Sequence, residues 1–163
     1  MLVGAGFDTS GGSPLVQARL ALLGKTVFLL AFGFFAIMNG MLIVGGGLAI
    51  VPLLATQANL WHFLAACVMG GLWLIASFGS WSLRTLGVLD GSSLLLAGIC
   101  LALMAAQPDP LQLMAGLFAL AVTMMTRAVL IPSTAARTLC LSAISAAPLL
   151  LAAVLFHRCH RQY

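Results

Sequence analysis

Long apolar runs broken by short polar or glycine-containing stretches dominate the chain. Between Thr26 and Phe156 only Arg84, Asp90, Asp109, Arg127 and Arg137 ionise fully at neutral pH. The runs are continuous rather than alternating, as in Leu94-Leu95-Leu96-Ala97-Gly98-Ile99. A membrane barrel requires alternation, and backbone amides in hydrocarbon must be paired within the protein, so this pattern predicts helices. Crossing the hydrocarbon takes about 20 apolar residues. On that ruler five spans fit, at about 26–50, 60–80, 88–107, 110–131 and 136–156. Trp61 and Trp81 bracket the second as interfacial aromatics, and Pro110 and Pro132 bracket the fourth. The predicted fold is an all-α integral membrane bundle of about five transmembrane helices with short connections.

The ends read differently. Residues 1–25 begin as a glycine- and serine-rich loop, and Ser13-Pro14 is a good helix start. The helix from Pro14 to Lys25 either lies on the membrane surface, with Arg19 and Lys25 toward headgroups, or forms the first turns of the first span. Residues 26–156 form the transmembrane domain, and 157–163 a short basic tail. The apolar run after Lys25 exceeds the about 7–15 residues of a signal-peptide core, which predicts an uncleaved first span.

Composition removes the soluble alternative. The 163 residues are 63% hydrophobic and 6% charged, against about 25% charged in a soluble domain. The formal charge of +4 comes from only seven basic residues, which is topology information rather than a nucleic-acid footprint. Five spans put Arg19, Lys25, Arg84, Arg127 and Arg137 on one side and Asp109, Arg158 and Arg161 on the other. That predicts a cytoplasmic N-terminus, although the basic tail would sit better inside. Cys67, Cys100 and Cys140 fall within spans and read as small packing residues, not a disulfide framework.

Few residues suggest chemistry. Asn39 is a polar group inside a span and reads as an interhelical hydrogen bonder. Gly45-Gly46-Gly47 and Gly70-Gly71 read as sites of close helix approach by the same logic. His62 reads as an interfacial anchor, the bolder alternative being a haem or quinone ligand. His157, Cys159 and His160 form one metal-capable group where zinc sites use two separated pairs. Neither cofactor nor metal is expected. Asp8, Asp90 and Asp109 all read as lying at or beyond interfaces, which argues against a proton-coupled transporter. No catalytic set or phosphate-binding glycine loop is visible, so no enzyme activity is expected.

The most distinctive stretch runs from Arg127 to Thr138. Pro132 stops one helix and Ser133 or Thr134 caps the next. Arg127 and Arg137 flank the turn and read as snorkelling anchors, or else as part of a coupling or anion-binding loop for a cytoplasmic partner. This stretch resembles the multi-span membrane region that precedes the catalytic domain of certain bacterial eukaryotic-type serine/threonine protein kinases. The matching positions are Arg127, Pro132, Ser133, Thr134, Arg137 and Thr138. Trp61-His62, Gly70-Gly71-Leu72-Trp73 and Ser82-Leu83-Arg84-Thr85-Leu86 are also similar, and the resemblance covers residues 15–155. It implies a bacterial inner-membrane location and a membrane anchor or sensor region. It also implies a sixth span and a kinase, for which this sequence carries neither the glycine-rich loop nor the catalytic Asp motif. No kinase residue is carried over, and a truncated or free-standing module is the expectation. The rivals are a small transporter or channel subunit acting as a homo-oligomer, with a polar path through Asn39 or Thr123 and Thr126, and a membrane enzyme or electron carrier using His62 or the terminal His/Cys group.

Overall fold

The computed structural model of the protein describes residues 12–46, 56–107, 110–131 and 133–160. Five helices occupy them: α1 (Gly12–Gly46), α2 (Gln57–Ser77), α3 (Leu83–Ala105), α4 (Pro110–Leu130) and α5 (Ala135–His160). Each contains a segment long and apolar enough to cross a membrane. No strand occurs among the described residues. Large apolar side chains such as Leu29, Leu74, Val129 and Leu151 face outward. That surface would be intolerable in water and is ordinary in lipid. The protein is an all-α membrane bundle.

Capping sets the helix starts. Thr56 accepts a hydrogen bond from the Asn59 amide at 3.4 Å and opens α2. Ser82 accepts from the Thr85 amide at 3.1 Å and opens α3. The third span therefore starts at Leu83 rather than at 88, because Ser82 satisfies the first turn despite the charges that follow at Arg84 and Asp90. At the end of α2, Gly79 takes a positive φ of 85° just after the cap residue Phe78, a conformation that favours glycine.

The N-terminal segment is not a separate surface element. α1 is one unbroken 35-residue helix, about 50 Å long. Leu20 and Leu23 are fully buried in the core with Met69, Leu72 and Leu86. Gln17 donates to the carbonyls of Ala76 and Gly79 and accepts from the Trp81 amide, clamping the α2–α3 connection. At the other end, Asn59 donates to Asn39. The stretch of α1 that packs along α2 thus runs from Gln17 to Asn39, well before the 26–50 read from hydropathy. Lys25 lies 5.6 Å from the centre of the Trp73 ring, a cation–π contact that replaces the expected free headgroup contact.

α3 is the central helix, touching all four others. Asp90 meets Arg127 across an antiparallel α3–α4 pair. Gly87, Gly91 and Gly98 meet Arg137, Leu141 and Ser145 along a parallel α3–α5 pair. This alternation brings Arg19, Lys25, Arg84, Arg127 and Arg137 toward one end of the bundle. Asn39, Asn59, His62 and Gln112 gather toward the other.

The glycines that allow close approach are mostly not the expected ones. Nothing described lies within 4 Å of a Cβ placed at Gly45 or Gly71, Gly47 lies outside the described residues, and the surroundings of Gly46 are undescribed. Gly70 does pack, with the Phe28 ring 3.0 Å from where a Cβ would stand. The tight crossings are at Gly24 and Gly98. Gly71→Ala should leave the thermal unfolding midpoint in detergent unchanged or raise stability by up to about 1 kcal/mol, since alanine is the better helix former. A clear loss would place a neighbour at Gly71.

Candidate functional site

The charged end of the bundle holds a three-residue cluster. Asp90 lies two turns into α3 and is 2% exposed, and Arg127 lies in the last turn of α4 and is 1% exposed. Arg127 donates through Nε to Asp90 Oδ1 at 3.1 Å and through Nη2 to Oδ2 at 2.7 Å. This is the planar two-bond geometry that suits guanidinium to carboxylate. Arg137, in the first turn of α5, brings Nη2 to 3.6 Å from the same Oδ2 while its side chain stays 48% exposed. Gly87 makes room for it: a Cβ there would stand 3.1 Å from Arg137 Nη2.

Two expectations are corrected by this geometry. Asp90 is enclosed in the bundle rather than at an interface, and so it no longer speaks against transport. Arg127 is a buried ion-pair partner rather than a snorkelling anchor. A carboxylate and a guanidinium that neutralise each other can occupy a depth that neither would tolerate alone. Hydropathy treats each charge as a span-breaker because it cannot see a partner 37 residues away. Only the opposite signs of Asp90 and Arg127, near the same end of adjacent antiparallel spans, could have signalled the pair.

The turn between α4 and α5 is built as its residues suggest. Thr134 caps α5, its hydroxyl accepting from the Arg137 amide at 3.3 Å. The hydroxyls of Ser133 and Thr138 share a hydrogen bond at 2.6 Å across the turn. Pro132 lies outside the described residues. Arg127, Ser133, Thr134, Arg137 and Thr138 therefore form one connected cluster, with Asp90 and Gly87 as the members that the sequence did not single out.

The opposite end carries neutral polar groups. Asn39 donates to the Phe35 carbonyl and accepts from Asn59, each at 2.8 Å, bridging α1 and α2 as expected. Such a bond between membrane helices contributes about 1 kcal/mol. His62 is 8% exposed, stacks on Phe34 and meets the tilted ring of Phe35, with ring centroids 5.9 and 5.7 Å away. Its Nε2 lies 3.1 Å from the Ala31 carbonyl. It is a buried residue of the α1–α2 seam, not an exposed interfacial anchor. Thr123 and Thr126 donate to the carbonyls of Ala119 and Val122 in their own helix, each at 2.8 Å, which leaves them poor guides for a polar path.

Among the described residues no group of three His, Cys, Asp or Glu side chains converges on a metal-binding geometry. The His157, Cys159 and His160 side chains lie outside what is described. Cys67 and Cys140 are exposed on the outer surface and Cys100 is half-buried, all three as free thiols. Comparison of the chain with protein families, curated proteins and solved structures finds no significant match.

Proposed function

We propose that the protein is a non-catalytic anchor and sensor module of a bacterial inner membrane, like the membrane region of the kinases it resembles. Its α4–α5 turn passes the packing state of the bundle to a cytoplasmic partner. One observation carries this reading: Arg127 and Arg137, from the two sides of the turn, converge on Asp90 of the central helix. Any shift of α3 moves the carboxylate that both cations use. Arg127 holds it with two bonds. Arg137 holds it loosely and from the surface, so an acidic group on a partner can draw it away at small cost.

Arg137→Gln should leave the fold intact, because a half-exposed pair contributes about 1 kcal/mol or less. It should reduce photocrosslinking from a benzoylphenylalanine at Ala136 to its cytoplasmic partner by about tenfold, an affinity loss of about 1.4 kcal/mol. Crosslinking that is undiminished in a folded Arg137→Gln protein would rule the coupling turn out.

A second reading has its own support. A carboxylate–guanidinium pair inside the spans is also a mark of ion and solute pathways. On that reading the chain is a small transporter or channel subunit working as a homo-oligomer. Saturable solute flux into proteoliposomes holding the unaltered chain would favour it over the sensor.

A further inference from the structure

Two cavities, about 260 and 250 Å³ in volume, lie end to end within the bundle. They share the lining residues Phe34, His62 and Ala115. The smaller one is at the end opposite the Asp90 cluster and is lined in part by Asn39, Asn59 and Gln112. The larger runs toward the middle, against apolar walls that include Val27, Met69 and Val122. Its hydroxyl, from Thr123, is already donated to Ala119. Among the described residues no Lys, Arg, Asp or Glu lines either cavity.

His62 sits where the two meet, and its hydrogen bonding is half complete. A carbonyl only accepts, so Nε2 beside the Ala31 oxygen carries a proton, and in the neutral imidazole Nδ1 is the acceptor. No described residue donates to Nδ1. Among the described residues, no fully buried side-chain nitrogen or oxygen lacks a partner. Nδ1 is therefore not sealed in packing and is left open to a donor from outside the protein.

The arrangement has the polarity of a lipid. It offers a polar chamber lined by carboxamides near one membrane face, a histidine shared with the second cavity, and apolar walls beyond. An apolar pocket with a few placed polar groups is the usual form of a small-molecule site. A charged headgroup would meet no counter-charge among the described lining residues, and a purely apolar ligand would leave the carboxamides unmatched.

We propose that the paired cavities bind a single-chain amphiphile with a small, neutral, hydroxyl-bearing headgroup, drawn from the adjacent leaflet. Its hydroxyl donates to His62 Nδ1, its remaining oxygens meet the carboxamides, and its chain lies along Val27, Met69 and Val122. This supplies the ligand of the sensor reading and rests on that reading only for its signalling consequence.

The test uses the whole purified chain in nanodiscs and a monoacylglycerol bearing a diazirine in its acyl chain. Photolabelling should saturate and map by mass spectrometry to Val27, Met69 and Val122. Unlabelled monoolein should compete at least about tenfold better than lysophosphatidylcholine or oleate. His62→Phe keeps an aromatic ring beside Phe34 and Phe35 and removes the acceptor, so it should weaken labelling about tenfold, with a stability cost of no more than about 1 kcal/mol for the lost bond to the Ala31 carbonyl. Ala115→Phe should block the shared neck. Labelling that is non-saturable and spread over lipid-facing residues such as Leu29, Leu74 and Leu151 overturns the proposal. So does equal competition by the charged lipids together with undiminished labelling of His62→Phe. Saturable cavity labelling with no effect of Arg137→Gln on crosslinking would keep the site and discard the sensor.

Discussion

Asp90→Ala should destabilise the protein by about 3–5 kcal/mol, the cost of leaving a buried guanidinium without its partner. Arg127 is fully buried and directs both Nε and Nη2 at this one carboxylate. Arg137 cannot compensate, because it is a second cation at the same site. Replacing both members tells more than replacing one. Asp90→Leu with Arg127→Met keeps the volume and removes the charges, and should recover most of the loss, since apolar replacements of buried ion pairs are often neutral or better. The measurement is a double-mutant cycle by reversible unfolding in mixed micelles. A cost below about 1 kcal/mol for Asp90→Ala would mean that Arg127 escapes to the headgroups and that the pair is dispensable.

Gly98→Ala should also be damaging, for an unrelated reason. A Cβ at Gly98 would stand 2.6 Å from the backbone oxygen of Ser145. That oxygen belongs to α5 and cannot swing aside as a side chain can. The two helices must separate, and overpacking of this kind costs about 1–3 kcal/mol, with Gly98→Val at or beyond the upper end. Gly24→Ala should behave alike, its Cβ falling 2.7 Å from the Trp73 amide nitrogen and 2.9 Å from the Met69 carbonyl. Unfolding midpoints in one detergent, with Gly71→Ala as the control, check the set. If Gly98→Ala and Gly71→Ala are indistinguishable, α3 and α5 are not in backbone contact there.

These two sites also show where the sequence is legible. Continuous apolar runs name the helices because their length and lack of alternation are local properties. Thr134 as a cap and Asn39 as a bridge follow from the residue's own chemistry in a known type of segment. Gly24 and Gly98 look no different in sequence from Gly45 and Gly71. What separates them is a backbone on another helix, and no local signal carries that. Sequence alone sets Asp90 and Arg127 each against lipid or water, whereas each is solvated by the other. Ser82 shows the smaller form of the same error, since Arg84 and Asp90 push the expected start of α3 past a cap that is in plain view. Hydropathy likewise divides α1 at Arg19 and Lys25, although Leu20 and Leu23 show that the helix packs inward across that division.

The ion pair has a consequence for how the chain reaches its place in the bilayer. A lone Asp or Arg opposes transfer of a helix to lipid, by about 2.5–3.5 kcal/mol at the helix centre and less toward the ends where Asp90 and Arg127 lie. α3 carries the carboxylate, and its partner emerges 37 residues later on α4. The connection between the two helices is only four residues, 106–109. A nascent chain can therefore hold α3 at the edge of its exit channel until α4 has followed, and release the two as a neutralised hairpin. The order of synthesis and the site of greatest electrostatic demand are then one problem.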